Sequence, residues 1–471
     1  MRFFIFLLFS VFLINQSFSQ SWSEPINIDS DGINKSPSLA IDLDGVLHCV
    51  WTKVLDYSYN KIFYSRSTDD GLTWTPPISL TNNSNLRLEH PHIASDSYGN
   101  LYVSYDYDVN AYPDVKIHYL VFTKANSSWS QPIEIGTGTD NRIVIDRNDR
   151  VYFFWFAGTE QYAYLESNML SQIYSLGNWF GEACYLNDFH FDTENKLHCI
   201  GNRKAGDYSR GAYFSFYNGE WSPYMDLMDY SFYESGLCLN SIGEPSFVWE
   251  QLIPENHSFH ATYFSRIVDD SVQPSIQLAK KTDCPSICID QSDKVHIVDS
   301  QDHDSIFQLT YRYQISGVWN DCIIEENIYK YDKTELLFNK PYVYLAYNRI
   351  DPASKTNTDE LIVSGIVLRR LEIPQSEEEF GIHRDFVVYP NPFTETVTFE
   401  WGKLPQSTLS MNIYKLNGQV LFSKNISPRS FQGNKYILSD FRDKRFNRDD
   451  CIIVKLSGSD FERSIILFRV K

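Results

Sequence analysis

The sequence repeats one type of segment seven times, at an interval of about fifty residues. Each copy has an apolar run, an Asp or Asn followed by a short turn, and a second apolar run. Apolar and polar residues alternate on both sides of the turn, which is the pattern of a β-hairpin. The turn residues are Asp42, Asp96, Asp146, Asp192, Asn240, Asp290 and Asn339. A fixed interval of this length predicts a repeat architecture rather than several unrelated domains.

A second hairpin lies between successive copies, most clearly at residues 61–80 and 117–135. Two hairpins per repeat give four strands, which is the content of one β-propeller blade. The last copy ends with a third strand at residues 360–373, whereas residues 21–28 look like a fourth strand that precedes the first copy. We therefore predict an all-β chain with a seven-bladed β-propeller over residues 21–373, closed by its N-terminal strand so that no sheet edge stays open. A β-helix is the alternative.

The N-terminus has the form of a secretory signal peptide over residues 1–20. Arg2 supplies a positive start, and residues 3–14 are an almost unbroken apolar run before a cleavage point near Gln20. An uncleaved N-terminal anchor is the alternative. No later segment has about 18 uninterrupted apolar residues, so we expect no transmembrane segment after cleavage.

Charge and composition exclude two classes of protein. The 471 residues include 41 Lys and Arg against 60 Asp and Glu, and the formal net charge is −19. Such a surface repels a polyanion, so no nucleic-acid partner is expected. Hydrophobic residues make up 43% of the chain and aromatic residues 15%, which is enough apolar surface for a core and excludes a disordered chain.

The eight cysteines are irregularly spaced, and none belongs to a C-x-x-C pair. Zinc sites need cysteines or histidines at ligand spacing, so we predict no metal site and no cofactor. Several cysteines lie in apolar, strand-like runs. This favours buried thiols, with one or two disulfides among them because the protein is exported.

One turn carries the motif S-x-D-x-G-x-T-W, formed by Ser67, Asp69, Gly71, Thr73 and Trp74. This motif, an Asp box, resembles those of the sialidase-like propellers, also called bacterial neuraminidase repeat proteins. The resemblance implies that the box lies on the turn between the third and fourth strands, away from the active face, and has a structural role. The F/Y-R-I-P arginine motif of true sialidases is missing, which argues against sialidase activity.

The C-terminal segment begins after an acidic linker at residues 374–384. YPNPF at 389–393 and IYKLNGQVL at 413–421 resemble, in order, motifs of the type IX secretion sorting domain of Bacteroidota. The resemblance covers residues 385–471 and implies a small antiparallel β-sandwich that the type IX secretion machinery recognises. The protein is then released or attached to the cell surface. An ordinary carbohydrate-binding sandwich is the alternative.

In a propeller with this strand order, the loops before each first strand and after each second strand surround one mouth of the central channel. Aromatic rings stack on sugar CH faces, and guanidinium groups bind carboxylates. We predict glycan contacts at this mouth from Arg142, Arg203, Arg349, Glu250, Tyr105 and His90. The alternatives are ion pairs for the arginines and a loop or core position for His90. Tyr105 has its repeat equivalents in Trp51, Trp155 and Trp249, which favours packing between blades.

Two function classes stay open on the sequence. The first is a secreted or cell-surface propeller that binds extracellular glycans or protein partners. The second is a glycan-active enzyme, a glycoside hydrolase or a polysaccharide lyase, acting on an acidic polysaccharide. The absence of a complete catalytic motif favours the first class.

Overall fold

The computed structural model describes two compact units of the chain, one ending at Ile373 and the other beginning with Pro374. Residues 22–373 are described except 57–58, 83–85, 109–114, 167, 206–207, 254–255, 304–305, 316, 328–332 and 351–363. Residues 386–468 are described except 390–396, 402–407, 416–419, 428–429, 431–434, 439–450 and 458–461. The predicted signal peptide and the predicted linker lie outside the described residues. No helix in the described part of the chain is long and apolar enough to cross a membrane.

The first unit is a β-propeller whose described strands fall into seven blades, which confirms the predicted fold class. Blades 1 to 3 contain β2 (Ile33–Ile41), β3 (Leu47–Asp56), β4 (Tyr59–Ser67), β5 (Ile78–Ser79), β6 (Arg87–Ser95), β7 (Leu101–Asp108), β8 (Val115–Thr123), β9 (Ser128–Trp129), β10 (Ile133–Thr137), β11 (Thr139–Ile145), β12 (Val151–Phe156), β13 (Glu160–Glu166), β14 (Met169–Leu170) and β15 (Tyr174–Ser175). The described residues of this unit also include two single turns of helix, at Lys124–Asn126 and Gly177–Phe180.

The other four blades repeat this pattern. Blades 4 and 5 contain β16 (Cys184–Phe191), β17 (Leu197–Ala205), β18 (Tyr208–Tyr217), β19 (Glu220–Trp221), β20 (Met225–Asp226), β21 (Ser235–Leu239), β22 (Pro245–Ile253), β23 (Asn256–Val268), β24 (Ser271–Val272) and β25 (Ile276–Lys280). Blades 6 and 7 contain β26 (Thr282–Ile289), β27 (Val295–His303), β28 (Ile306–Ile315), β29 (Val318–Asn327), β30 (Thr334–Asn339), β31 (Tyr342–Ile350), β32 (Ser364–Glu372) and β1 (Ile26–Asp29). In blades 2 to 5 the outer strand is split into two short pieces that pair with the same third strand.

The ring is closed by the N-terminal strand, as the sequence predicts. Strand β1 pairs antiparallel with β32, and Ile26 lies opposite Leu368. The Ser23 N–H extends this pairing by donating to the Arg370 carbonyl at 2.9 Å. Trp22 packs edge-on against Tyr311 of blade 6. The last blade is therefore built from both ends of the propeller sequence.

The seven inner strands surround the propeller axis, and five of them are bulged near the same end. Each inner strand contacts the next around the ring, and β30 contacts β2. The register of β2, β6, β11, β16 and β26 shifts close to the N-terminal end of the strand. Four residues at these bulges have left-handed backbone conformations: Ser36, His90, Asp140 and Cys284. Bulges re-aim side chains and are common next to active sites.

The predicted packing role of the aromatic residues in the second strands is confirmed. Trp51, Trp155 and Trp249 are at most 1% exposed, and so is Tyr105. Each belongs to a hydrophobic cluster that joins neighbouring blades. Burying a ring of this size contributes on the order of 2–3 kcal/mol per residue.

The repeated Asp or Asn forms the turn between the first and second strands. In blade 1, Asp42 Oδ1 accepts the backbone N–H groups of Asp44 and Val46 at 3.0 and 2.9 Å. Blades 2 to 6 make the same pair of hydrogen bonds from their own turn residues. A short side-chain acceptor stabilises a tight turn in this way, which explains why the residue recurs.

The Asp box adopts the geometry that the resemblance implies, on the turn between β4 and β5. Asp69 accepts the backbone N–H of Thr73 at 2.9 Å and its hydroxyl at 2.6 Å. Ser67 Oγ donates to Asp69 and accepts the Gly71 N–H. The Trp74 indole N–H donates to the Gly71 carbonyl at 3.2 Å. The residues of the box therefore stabilise their own turn through hydrogen bonds.

The seven described cysteines, Cys49, Cys184, Cys199, Cys238, Cys284, Cys288 and Cys322, are all free thiols. The expected one or two disulfides are therefore not found among them, while the side chain of Cys451 is not described. Cys49 and Cys199 are completely buried in different blades, and burial raises their thiol pKa well above the ordinary value. They behave as small apolar residues of the blade cores.

The second unit contains two small antiparallel sheets. Its strands are β33 (Phe386–Tyr389), β34 (Val397–Trp401), β35 (Leu409–Lys415), β36 (Val420–Ile426), β37 (Lys435–Leu438), β38 (Cys451–Ser457) and β39 (Glu462–Phe468). The orders are β33-β34-β37 and β36-β35-β38-β39. Phe399 of one sheet and Met411 of the other are fully buried in the same hydrophobic cluster, so the two sheets form a sandwich.

Candidate functional site

The inner strands surround a central cavity of about 1030 Å³. Which side chains line the cavity depends on their distance in sequence from the repeated turn residue. The residues four positions before each turn residue all line the cavity: Ser38, His92, Arg142, Asp188, Gly236, Ser286 and Glu335. Five of the residues six positions before the turn line it as well: Ser36, His90, Asp140, Glu234 and Lys333. These two register positions thus supply most of the charged groups that line the cavity.

Arg142 has an unusual set of partners in this cavity. Its Nε donates to the Asn187 carbonyl at 3.1 Å, and its Nη1 donates to the Asn141 carbonyl at 2.8 Å. Nη1 also lies 3.1 Å from His92 Nε2. Among the described residues, no carboxylate lies within ion-pair distance of the guanidinium group, and Nη2 has no hydrogen-bond partner. The charge of Arg142 is thus held in place by neutral acceptors.

His92 is kept neutral beside this guanidinium group. Burial lowers the pKa of His92 well below its ordinary value, and the positive charges of Lys333 and Arg142 act in the same direction. A neutral imidazole has one nitrogen lone pair, so Nε2 accepts the hydrogen bond from Arg142 and Nδ1 carries the proton. His92 therefore orients the guanidinium group without neutralising its charge.

Lys333 brings a second positive charge to the cavity. Burial lowers the pKa of its ammonium group, while the nearby Glu335 opposes that shift, with Nζ and Oε2 3.7 Å apart. Glu335 also accepts the Leu39 N–H of blade 1 at 2.7 Å. Lys333 is therefore partly compensated, in contrast to Arg142.

Two tyrosines line the same cavity from neighbouring blades. Tyr185 and Tyr233 both lie seven positions before their turn residues, in blades 4 and 5. Tyr233 is 52% exposed and stacks on His260, with the ring centroids 4.7 Å apart. Burial raises the pKa of Tyr185 to about 12, so its phenol keeps its proton at neutral pH. Such rings supply flat apolar faces of the kind on which sugars stack.

Three buried carboxyl groups near the mouth connect neighbouring blades. Asp106 accepts the side-chain amide of Asn141 at 2.6 Å. Glu160 accepts the Leu186 N–H at 3.1 Å, and Glu250 accepts the Cys284 N–H at 3.2 Å. In each case the acceptor belongs to one blade and the donor to the start of the next inner strand. These carboxyl groups fix the bulged strand ends, and the other oxygen of Glu250 contacts the imidazole of His260.

The structure brings two of the six predicted site residues to the cavity, Arg142 and His90. His90 Nδ1 lies 3.0 Å from Asp106, and this hydrogen bond raises the pKa of the imidazole. Glu250 is 3% exposed and Tyr105 is 1% exposed, and neither lines the cavity. Tyr105 packs between blades, so its ring is not accessible to a ligand.

The other two predicted arginines are held in ion pairs instead of lining the cavity. Arg203 binds Asp226 through two hydrogen bonds of 2.7 and 2.8 Å, and also binds Glu182 at 3.1 Å. Arg349 binds Glu325 at 2.7 Å. The prediction that at least two of the three arginines share one pocket is therefore not met by these side-chain positions.

Sequence reasoning missed Lys333, Tyr185 and Glu335 as cavity residues. The signal that identifies them is their spacing from the repeated turn residue, since the positions four, six and seven residues before the turn each line the cavity in two or more blades. One further cluster among the described residues has the donor atoms of a metal site, and it consists of Glu250, His260 and Asp283. It adjoins the cavity through the stack of Tyr233 on His260.

Comparison with known proteins identifies the C-terminal unit and the propeller fold. Residues 387–442 match the family of secretion system C-terminal sorting domains. No curated protein sequence matches the chain significantly. Similar solved structures include a protein of unknown function from Dyadobacter fermentans, with 12% identity, a TM-score of 0.50, and coverage of 75% of this chain and 99% of that chain.

Similar solved structures also include enzymes, among them a lyase and a sialidase. One is an ulvan lyase of family PL25 bound to -[GlcA(1-4)Rha3S]-, with 10% identity, a TM-score of 0.51, and coverage of 73% of this chain and 95% of that chain. The other is the NanB sialidase from Streptococcus pneumoniae, with 11% identity, a TM-score of 0.43, and coverage of 74% of this chain and 70% of that chain. The solved structures support the predicted β-propeller fold, and the family match confirms the predicted C-terminal sorting domain.

Proposed function

We propose that the protein is a secreted or cell-surface β-propeller that binds acidic glycans in its central cavity. In this proposal, Arg142 binds a carboxylate or sulfate group of the sugar chain. The sorting domain supports delivery to the outside of the cell, where such glycans occur.

The observation that carries the proposal is the contrast between Arg142 and other partly or fully buried arginines of the same propeller. Arg203, Arg312 and Arg369 each form hydrogen-bonded ion pairs with Asp or Glu at 2.7–2.8 Å. Arg142 has neutral acceptors alone, in a protein with a formal net charge of −19. A guanidinium group that lacks a carboxylate and faces a cavity is suited to an anionic ligand, because it binds carboxylate and sulfate-like groups strongly.

The remainder of the lining suits a sugar. Tyr185 and Tyr233 offer ring faces, and Asp140, Asp188 and Glu234 offer acceptors for hydroxyl groups. Lys333 adds a second cation. The ligand named for the PL25 ulvan lyase contains the acidic sugar GlcA, and the shared fold makes a similar ligand class reasonable for this chain.

The test is calorimetric titration of the full mature chain with uronate-containing and sulfated polysaccharides, including ulvan-type and pectin-type polymers, and with sialosides. Arg142→Ala should weaken binding by roughly 2–4 kcal/mol, because a bidentate charge contact is lost. Arg66→Ala is the matched control, since Arg66 is exposed in β4 and does not line the cavity. Carboxyl-reduced, desulfated glycans serve as neutral ligands.

Two results would contradict the proposal. One is equal binding of acidic and neutral glycans by the wild type. The other is unchanged binding by a folded Arg142→Ala variant whose thermal midpoint matches that of the control. Arg142→Lys should give intermediate affinity, since an ammonium group keeps the charge and loses the paired geometry.

A polysaccharide lyase is the second candidate function, and one observation favours it. His90 and Tyr185, two groups able to transfer protons, line the same cavity as Arg142. In a lyase reaction a base removes the proton next to the uronate carboxylate, the β carbon–oxygen bond breaks, and an acid protonates the departing oxygen. The product is an unsaturated uronate, which absorbs ultraviolet light. His90→Gln should abolish that absorbance while glycan binding persists. If the wild type gives no absorbance change with any uronate polymer, the lyase candidate is ruled out and only the binding function remains.

A further inference from the structure

Three potential metal ligands converge at the junction of blades 5 and 6. They are Glu250 of β22, His260 of β23 and Asp283 of β26, and their ligand atoms all lie within 4.8 Å of one another. From this convergence we infer that these residues form a binding site for one divalent cation of the zinc class. The inference goes beyond the proposed glycan site, because these three ligands are outside the cavity lining.

The strand pairing preorganises the three side chains. His260 lies opposite Leu252 in the antiparallel pair β22–β23, so Glu250 and His260 are diagonal neighbours on one face of the sheet. Asp283 comes from the next blade, and its position is fixed because the following N–H, that of Cys284, donates to Glu250 at 3.2 Å. Glu250 is 3% exposed, so little solvent shields its charge.

The imidazole faces both carboxylates with the same nitrogen. His260 Nδ1 contacts Glu250 Oε1 and lies 3.7 Å from Asp283 Oδ1. One nitrogen carries at most one proton, and a proton donated to Glu250 cannot also be donated to Asp283. A metal ion placed among the three atoms instead receives a lone pair from each. It also offsets two negative charges, whereas an imidazolium offsets one.

The orientation of the imidazole is set from outside the cluster. Tyr233 stacks on His260 with an interplanar angle of 23°, so the ring plane is held by packing as well as by the carboxylates. Groups that orient a ligand in this way are typical of metal sites. Since Tyr233 lines the central cavity, an ion bound to His260 also stiffens that part of the cavity wall.

The donor set indicates the class of ion. One imidazole nitrogen and two carboxylate oxygens are ligands that Zn²⁺ accepts at about 2.0–2.2 Å, with a fourth position for water. Ca²⁺ prefers six to eight oxygen ligands and Mg²⁺ keeps most of its water, so both should bind more weakly here. Ligands of a tetrahedral zinc site lie roughly 3.4 Å apart, which small side-chain rotations allow from the present positions.

The test uses the full mature chain without an affinity tag, stripped of metal with a chelator and titrated with Zn²⁺ in a calorimeter. We expect one equivalent to bind, and Ca²⁺ to bind at least about tenfold more weakly. Asp283→Asn and His260→Gln should each weaken Zn²⁺ binding by at least about tenfold. His303→Gln is the control, since His303 is exposed and outside the cluster.

A second readout needs no variant and so does not depend on how the variants fold. Co²⁺ bound in place of Zn²⁺ should show visible absorption bands typical of a four- or five-coordinate ion, and Zn²⁺ should displace it. The inference is overturned if Zn²⁺ binding is equal in the wild type, Asp283→Asn and His260→Gln. It is also overturned if Co²⁺ keeps the spectrum of the hexaaquo ion, since both results indicate an adventitious ion only. Arg142→Ala should bind Zn²⁺ normally, which separates this inference from the glycan proposal.

Discussion

At the residue scale, the mouth of the propeller contains two kinds of ionisable side chain. Asp106, Glu160 and Glu250 are buried and accept hydrogen bonds from the next blade, so they stabilise the contact between blades. Arg142 and Lys333 face the cavity, and their charges are incompletely met by protein groups. A side chain at the mouth is available to a ligand only if other protein groups do not already bind it, and its residue type alone does not show this.

Glu160 gives a prediction about pH. Burial raises the pKa of its carboxyl group to about 8, from an unfolded value near 4.5. The folded protein keeps this proton and the unfolded chain loses it, so this group's contribution to stability is full below about pH 4.5 and falls as pH rises towards 8. In Glu160→Gln the side chain cannot ionise, so this loss of stability with rising pH should not occur. Relative to the wild type, its free energy of unfolding should rise by up to about 4 kcal/mol between about pH 5 and pH 9.

The measurement is denaturant unfolding of both proteins at the two pH values. Glu166→Gln is the matched control, because Glu166 lies in the same strand with its side chain 59% exposed and paired with Arg150. A wild type and a Glu160→Gln variant with parallel pH profiles would show that the Glu160 pKa is not raised.

The sequence predicted Arg142 and His90 as cavity residues because loop positions follow from the repeat. It could not separate them from Arg203 and Arg349. Asp226 lies in another strand of the same blade as Arg203, and Glu325 lies in β29, in the blade before that of Arg349. Which strands lie side by side follows from the repeat, but which ion pairs form across them depends on strand register and bulges. Those features have no clear signal in one sequence.

At the element scale, the Asp-box turn needs a glycine at one position. Gly71 has φ +81°, and a β-carbon there would lie 2.4 Å from the buried Leu368 Cδ2. Gly71→Ala should therefore lower the free energy of unfolding by about 1–2 kcal/mol for the backbone and by about 1–3 kcal/mol more for the clash. Thermal or denaturant unfolding measures the change.

Gly45 provides the matched control for that substitution. It has a similar φ of +79°, but a β-carbon there would meet no atom within 4 Å. Gly45→Ala should show the backbone cost alone. Equal losses at Gly45 and Gly71 would mean that the packing of the Asp box against blade 7 contributes nothing measurable.

Hairpins were predictable at this scale, whereas bulges were not. Alternating apolar residues around an Asp or Asn determine where the first two strands of a blade lie, as at Asp42 and Asp96. The left-handed conformations of Ser36 and His90 and the split outer strands of blades 2 to 5 arise from contacts between strands. Those contacts depend on tertiary packing, which local alternation does not encode.

At the scale of the whole molecule, ring closure depends on a four-residue strand. Ile28 of β1 is 5% exposed and belongs to the cluster that joins blades 7 and 1. Ile28→Asp should cost roughly 3–5 kcal/mol, because it removes apolar contacts and buries a charge. The freed edge of β32 should also promote self-association, which light scattering detects.

Asn27→Asp introduces the same side chain on the exposed face of the same strand. It should change stability by no more than about 0.5 kcal/mol. If both substitutions had the same small effect, β1 would not be needed to close the ring.

The second unit gives a prediction about export. Removal of residues 385–471 deletes the sorting domain and leaves the compact unit that ends at Ile373. In a host with a type IX secretion system, the truncated protein should stay in the periplasm with its propeller folded, as judged by fractionation and protease resistance. Its arrival in the medium or on the cell surface at the normal level would contradict the sorting role.

The pairing of Ile26 with Leu368 has a consequence for biogenesis. Chain synthesis runs from the N-terminus, so β1 leaves the ribosome first and its partner β32 emerges only after six complete blades. Until then β1 has no place to pair, and blade 1 lacks the neighbour against which its inner face packs. Early blades can collapse locally, but the cooperative ring must wait for the end of the propeller sequence. A chain that ends before β32 therefore cannot close its propeller, even if its first six blades have formed.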